Sequence, residues 1–303
     1  MKNVQLFFLR LFFSISGKWF PKFTLNKFWN LIFSIRRKPI KAFKKAIFQK
    51  AESAIFFIKD PFRKGKELGV RAYIWDNPGQ TVLLVHGWEG DSSDFHNFIP
   101  GLLQQGYRVI TFDAPGHGRS EGSKSSLPHF LAAMTSITDK FGKPDLMIGH
   151  SMGGTASALF LSEIETSVEK LVMISSPLVP KDFFSEVSRF LRVPKQIEQQ
   201  FYKRLKATIG RPVDVFDLFR FAGKIKAKKQ LYIVDEKDHL VKILDAKKFI
   251  ALNQPMSGQI TCGLGHYRTA RDSGVLQIIL NFFSEKEQRK SVKPKKKQLA
   301  FMP

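Results

Sequence analysis

The chain has 303 residues, 43% of them hydrophobic and 25% charged, which excludes a disordered polypeptide and a small disulfide-stapled module. Its formal charge of +23 is unevenly spread: residues 1–69 carry 16 basic and 3 acidic side chains, residues 281–303 carry 7 and 2, and the 211 residues between hold 26 and 21. The centre is therefore a near-neutral domain, and an anion met by the ends need not be its substrate.

Residues 1–66 read as a basic, aromatic-rich helical extension. Its first part, Val4 to Phe20, has the look of a targeting or anchoring segment, but Arg10 interrupts it and no small-x-small cleavage site precedes Lys18. The uninterrupted apolar runs fall short of the roughly 20 residues a spanning helix needs. From Ile40 to Ile58, the residues Ile40, Phe43, Ile47, Ala51, Ala54 and Ile58 recur every three or four positions, which predicts one helix with an apolar stripe and a lysine flank. Such a helix suits two settings: packing on the central domain, or an anionic membrane surface reached through residues 1–60.

Residues 67–176 and 228–283 alternate short β-branched runs with helical stretches, the pattern of a mostly parallel sheet flanked by helices. Strands are expected at Val70–Trp75, Thr81–Val85, Arg108–Phe112, Leu146–Ile148, Leu171–Ile174 and Gln230–Val234, and helices near Phe95–Gln105, Leu127–Phe141, Gly153–Glu163 and Ala246–Leu252. Residues 177–227 break the alternation as a helical insertion rich in Phe, Lys and Arg, and residues 284–303 form a basic tail with KPKKK at 293–297.

The chemistry concentrates at strand ends. The strand DLMI runs into Gly149, His150, Ser151, Met152 and Gly153, a G-x-S-x-G followed by a helix-forming run. A serine on so sharp a strand-to-helix turn needs glycine two residues away on either side, where a side chain would collide. TVLLV leads to His86, Gly87 and Trp88, whose loop can turn a backbone N–H toward an acyl oxygen bound at Ser151. The next strand ends in DAPGHGRS at 113–120, QLYIV leads to DEKD at 235–238, and GLGH follows at 263–266, so the order is serine, acid, histidine.

With these five motifs in this order, the sequence resembles the α/β-hydrolase superfamily over residues 70–283, as a serine esterase or lipase-like member with a helical lid. The resemblance implies Ser151 as nucleophile, His266 as general base and Asp238 as the acid that orients it, with the backbone N–H groups of Trp88 and Met152 as the oxyanion hole. It also makes residues 177–227 the lid. Glycine is common three residues before the acid in that family, and here Asp235 stands there as an alternative acid. Phe183, Phe184, Phe190, Phe201, Phe216, Phe219 and Phe221 would line an acyl pocket or only join the lid to the core.

His86, His117 and Asp113 belong to glycine turns and read as structural; His96, His129 and His239 read as surface or helix residues; and His150 occupies a permitted x position. Cys262, the one cysteine, excludes an internal disulfide and is expected to be small and buried. No phosphate loop, dinucleotide fingerprint or metal-ligand spacing is visible, so no cofactor and no metal are expected. A cytoplasmic enzyme follows, peripheral on the inner membrane surface if the extension meets lipid, acting on a small-molecule ester of apolar or lipid-like kind. The competing readings are a carbon–carbon bond hydrolase on the same triad, a catalytically silent hydrolase fold that binds at a membrane, and a nucleic-acid binder. The last is disfavoured because the basic residues lie in the ends without a recognition motif.

Overall fold

Strand residues alternate in direction, so a strand apolar throughout must be covered on both faces. The computed structural model describes residues 2–163 and 167–285. Among these, β1 (Glu52–Lys59), β2 (Glu67–Trp75), β3 (Thr81–Val85), β4 (Arg108–Asp113), β5 (Leu146–His150), β6 (Val168–Ile174), β7 (Ala227–Asp235) and β8 (Met256–Thr261) form one sheet in the order β1-β2-β4-β3-β5-β6-β7-β8. The β1/β2 and β2/β4 pairs are antiparallel and the others parallel.

The helices are α1 (Lys2–Trp19), α2 (Pro21–Phe33), α3 (Ala42–Phe48), α4 (Phe98–Gln104), α5 (Leu127–Phe141), α6 (Met152–Glu163), α7 (Pro180–Phe190), α8 (Lys195–Ile209), α9 (Ile243–Leu252), the single turn α10 (Gly265–Arg268) and α11 (Ser273–Ser284). On β3, Leu83 and Val85 join the core layer under α5, α6 and α9, while Val82 and Leu84 join the layer under α4 and α11. This is the mostly parallel, doubly covered sheet that the alternation predicts.

Two strands lie outside the sequence-based expectation. The helix expected over Ile40–Ile58 ends at Phe48, and its second half is β1, paired antiparallel with β2 from Glu52↔Ile74 to Lys59↔Glu67. The run SAIFFIK also alternates: Phe56 and Ile58 are buried while Ile55 and Phe57 are 46% and 61% exposed. A coincidence of three- and four-residue spacing loses to β-branched and aromatic side chains that bury one face on a sheet edge. The sheet consequently begins inside the segment assigned to the extension. The other strand, β8, hides its pattern because it is an edge strand whose residues are mostly exposed after Met256.

The extension packs closely on the rest. Phe13 of α1 and Phe28, Trp29, Ile32 and Phe33 of α2 share a core with Ile197, Phe201 and Leu205 of α8. Phe201 sits 5.0 Å from Phe28 and stacks on Phe33 at 5.8 Å. Beyond α2, Arg37 donates to the carbonyls of Gly116, Ser120 and Gly122 at 2.9, 2.5 and 2.7 Å, tying the chain to the glycine turn after β4. Ile47 and Phe48 of α3 pack against the layer containing Tyr73 and Trp75, and Trp75 Nε1 donates to the Ile47 carbonyl at 3.1 Å. No described helix is long and apolar enough to cross a membrane. The expected basic tail lies outside the described residues from 286 onward.

Candidate active site

All three expected side chains leave the carboxyl ends of parallel strands: Ser151 follows β5, Asp238 follows β7 and His266 follows β8. Ser151 has φ of 52°, the left-handed region that costs a non-glycine residue of order 1–3 kcal/mol unless its surroundings impose it. The imposition is visible in the glycines. A Cβ at Gly149 would meet the backbone of Gly154, one at Gly153 would strike the Val85 carbonyl, and one at Gly87 would lie 2.9 Å from the Ser151 Cβ. The elbow is thus clamped between β3, α6 and the His-Gly-Trp loop.

Around Ser151 the hydrogen bonds form one line. The Ser151 hydroxyl lies 2.9 Å from His266 Nε2, and His266 Nδ1 lies 2.9 and 3.0 Å from the two Asp238 oxygens. Asp238 Oδ1 also accepts from the N–H groups of Leu240 and Val241 at 2.8 and 3.0 Å. Burial acts to raise the Asp238 carboxyl, but the bond from His266, its charge and the Leu240 N–H outweigh it, and the net direction is down. An ionised Asp238 accepting Nδ1–H leaves Nε2 bare toward the serine, the tautomer a general base needs.

Asp235, the alternative acid, is occupied otherwise. Its oxygens accept from Lys237 N, Leu264 N and Gly265 N and from the Thr261 hydroxyl, all at 2.8–2.9 Å. It touches the turns on both sides of the His266 loop without touching the imidazole. Burial would raise its carboxyl as well, but these donors hold it below the usual range.

His150 proves more than a tolerated neighbour. Buried, it donates from Nε2 to the His266 carbonyl at 2.9 Å and so pins the backbone that carries the His266 imidazole. Burial and the charge of His266 bring its pKa down from 6.5 to about 4, so it stays neutral. No local pattern signals this contact, because the partner lies 116 residues away. His86 and His117 sew the His-Gly-Trp loop to the glycine turn: His86 Nε2 accepts from Ala114 N at 2.9 Å, its Nδ1 donates to the Gly87 carbonyl at 2.7 Å, and His117 Nε2 accepts from Glu89 N at 3.2 Å. With the Gly87 carbonyl held by His86, the Trp88 N–H points to the opposite side of the same peptide plane. Met152 begins α6, where free N–H groups and the helix dipole favour negative charge.

One expectation for a single residue needs correction. Cys262 is exposed, with Sγ donating to Glu236 Oε1 at 2.6 Å, because it follows the edge strand β8. His129 is a helix residue, on α5, and is buried 3.3 Å from Asp60 and 2.7 Å from the Ser126 hydroxyl. Asp113 accepts from Ser92 N and Arg119 N, a structural role in its glycine turn.

Ser151 and His266 open onto a cavity of about 910 Å³ that also reaches Trp88 and Met152. Its apolar wall includes Phe183, Phe184 and Phe216 from the insertion, joined by Ile32 and Phe33 from α2 and Phe43 at α3. The insertion's other phenylalanines act as glue: Phe201 against α2, Phe219 against Phe249, and Phe221 against the core. Phe190 is exposed beneath the Arg10 guanidinium. Among the described residues, no group of three His, Cys, Asp or Glu side chains is placed to hold a metal ion.

A family model described as alpha/beta hydrolase fold matches residues 80–216. A serine hydrolase-like protein of Danio rerio is 29% identical over 130 residues, 40% of this chain and 40% of that one. A non-heme haloperoxidase of Rhodococcus erythropolis is 30% identical over 159 residues, 51% of this chain and 50% of that one. The chain thus matches about half the length or less of these curated relatives. An esterase structure from Pyrococcus furiosus superposes with a TM-score of 0.59 at 21% identity, covering 83% of this chain and 96% of that one, which is a likeness of fold. With the elbow after β5, the mostly parallel sheet and the family match over residues 80–216 together, the chain has the α/β-hydrolase fold.

Proposed function

We propose that the chain is a serine hydrolase that cleaves carboxylic esters with an apolar acyl group through an acyl-enzyme. The reading rests on one observation: the hydrogen-bonded line Ser151–His266–Asp238 opens into a cavity with a phenylalanine-rich wall. The names of the Danio rerio and Pyrococcus furiosus proteins point the same way.

Ser151 Oγ attacks the ester carbonyl carbon while His266 Nε2 takes its proton. Asp238 keeps the imidazole oriented and stabilises the imidazolium. The carbonyl oxygen becomes an oxyanion facing the N–H groups of Met152 and Trp88, each contributing about 3 kcal/mol to that transition state. Collapse breaks the carbon–oxygen bond, and the alcohol leaves with the proton from His266. Water then repeats the sequence on the acyl-serine and releases the acid. Residues 177–227 act as the lid, with Phe183, Phe184 and Phe216 receiving the acyl chain.

The test is kcat/KM for p-nitrophenyl esters from acetyl to lauroyl. Turnover that rises with chain length and falls to background in Ser151→Ala supports the reading. Turnover of acetyl ester alone removes the apolar acyl group from it, and no turnover of any ester shifts it to carbon–carbon bond hydrolysis on the same residues.

A further inference from the structure

We infer that the α1–α2 hairpin is an in-plane docking surface for an anionic lipid bilayer. α1 carries apolar residues on two opposite sides, with polar residues that include Arg10 and Ser14 between them. One side, with Phe13, Ser16 and Gly17, is buried against α2 and the start of α8, where a Cβ on Gly17 would meet Pro194. The opposite side carries Phe8, Leu11, Ile15 and Trp19 at three- and four-residue spacing, and Leu11, Ile15 and Trp19 are 42%, 52% and 69% exposed. Phe20 and Phe23, at the start of α2, extend the same surface. A helix with two apolar sides buries both in a core or in lipid, and here the core covers only one of them.

Charge selects the occupant. No acidic residue occurs before Glu52, whereas twelve lysines and arginines do. The ammonium groups of Lys18 and Lys27 lie over the rings of Trp19 and Phe23 at 5.6 and 5.3 Å, so cations border the apolar surface as they do where a helix rests among phosphate headgroups. A second copy of the chain would bring the same positive charge to the same face and repel it. No described helix can cross the bilayer, which leaves the helix lying in the interface. The same helix serves both regions, since α2 runs from Phe23 in the exposed face to Ile32 and Phe33 in the cavity wall. The Ile40–Ile58 segment, where the sequence suggested membrane contact, is instead folded into α3 and β1.

Co-sedimentation of the full chain with phosphatidylcholine vesicles, pure or with about one-third phosphatidylglycerol, tests this. The wild type is expected to pellet with the anionic vesicles, less at high salt. Leu11→Asp with Ile15→Asp should lower partition about ten-fold or more, and Lys18→Gln, Lys22→Gln and Lys27→Gln together should weaken it and flatten its salt dependence. Leu244→Asp, on an exposed side chain of α9, should change nothing. Neither Leu11 nor Ile15 lines the cavity, so hydrolysis of a soluble ester by the double variant stays at the wild-type rate and separates this surface from the reaction at Ser151. The inference is overturned if the double variant pellets like wild type, if the wild type stays in the supernatant with both vesicles, or if the wild type is a dimer that the double variant dissolves.

Discussion

A buried imidazole that is neutral in the folded chain binds its proton more readily once unfolded. For His150 the folded value is about 4 against 6.5 for a free ring. Between those values the unfolded chain holds the extra proton, so stability is full above about pH 6.5 and declines as the pH falls toward 4, by about 3 kcal/mol for this ring. His117 and His129, lowered by burial as well, steepen the decline. Melting temperature followed from pH 7 to 4 should therefore fall less steeply in His150→Gln than in wild type, and equal slopes would remove His150 as a contributor. The two neighbouring carboxylates separate by a different pair of readouts. Asp238→Asn should lower kcat roughly ten-thousand-fold with little change in melting, because the imidazole loses its tautomer and its counter-charge. Asp235→Asn should cost about 2–3 kcal/mol of stability, because four donors lose a carboxylate, and should lower kcat far less. The reverse pattern would exchange their roles.

Elements were legible in the sequence where one period dominates. β3 and α5 fall on the expected residues, Thr81–Val85 and Leu127–Phe141, because one is an unbroken apolar run and the other begins with Pro at its first turn and ends at a glycine with φ of 87°. β1 was misread because Ala51, Ala54 and Ile58 satisfy a helical period while Phe56 and Ile58 satisfy the strand period, and only the partner β2 decides between them. The three motif side chains were readable because they follow strands whose ends the local sequence marks. The contacts that give His150 and Asp235 their roles, and the cavity contributions of Ile32 and Phe33, were not, since each depends on a partner far along the chain. Two contacts define how the extension is held. Phe201→Ala, which empties the ring cluster between α8 and α2, should cost about 3–5 kcal/mol in chemical denaturation. Arg37→Met removes three hydrogen bonds to the glycine turn and should cost about 1–3 kcal/mol; an unchanged denaturation midpoint would show that this tie carries no stability.

At the scale of the whole molecule, residues 1–60 are not a detachable anchor. They supply an edge strand, two helices against the insertion and part of the cavity wall. Deleting them should expose Ile197, Phe201 and Leu205 and leave β2 unpaired on one side, so the shortened chain is expected to aggregate or to melt without a cooperative transition. A soluble, cooperatively folded remainder would instead make the extension a true appendage. Membrane contact must for the same reason be tested by surface substitutions and not by truncation. The charge asymmetry fits this division: the near-neutral centre would hold the proposed reaction, and the acid-free first 51 residues would face the proposed anionic surface.

The proposed reaction stands or falls on the nucleophilicity of one hydroxyl. Labelling of the purified full-length chain by a fluorophosphonate, which captures only an activated serine, measures it directly, with Ser151→Ala and His266→Ala alongside. The expected result is stoichiometric labelling of wild type at Ser151, none in Ser151→Ala and strong loss in His266→Ala, with all three chains folded. Folded wild type that takes no label, or label that persists in Ser151→Ala, would contradict a Ser151–His266–Asp238 acyl-transfer centre.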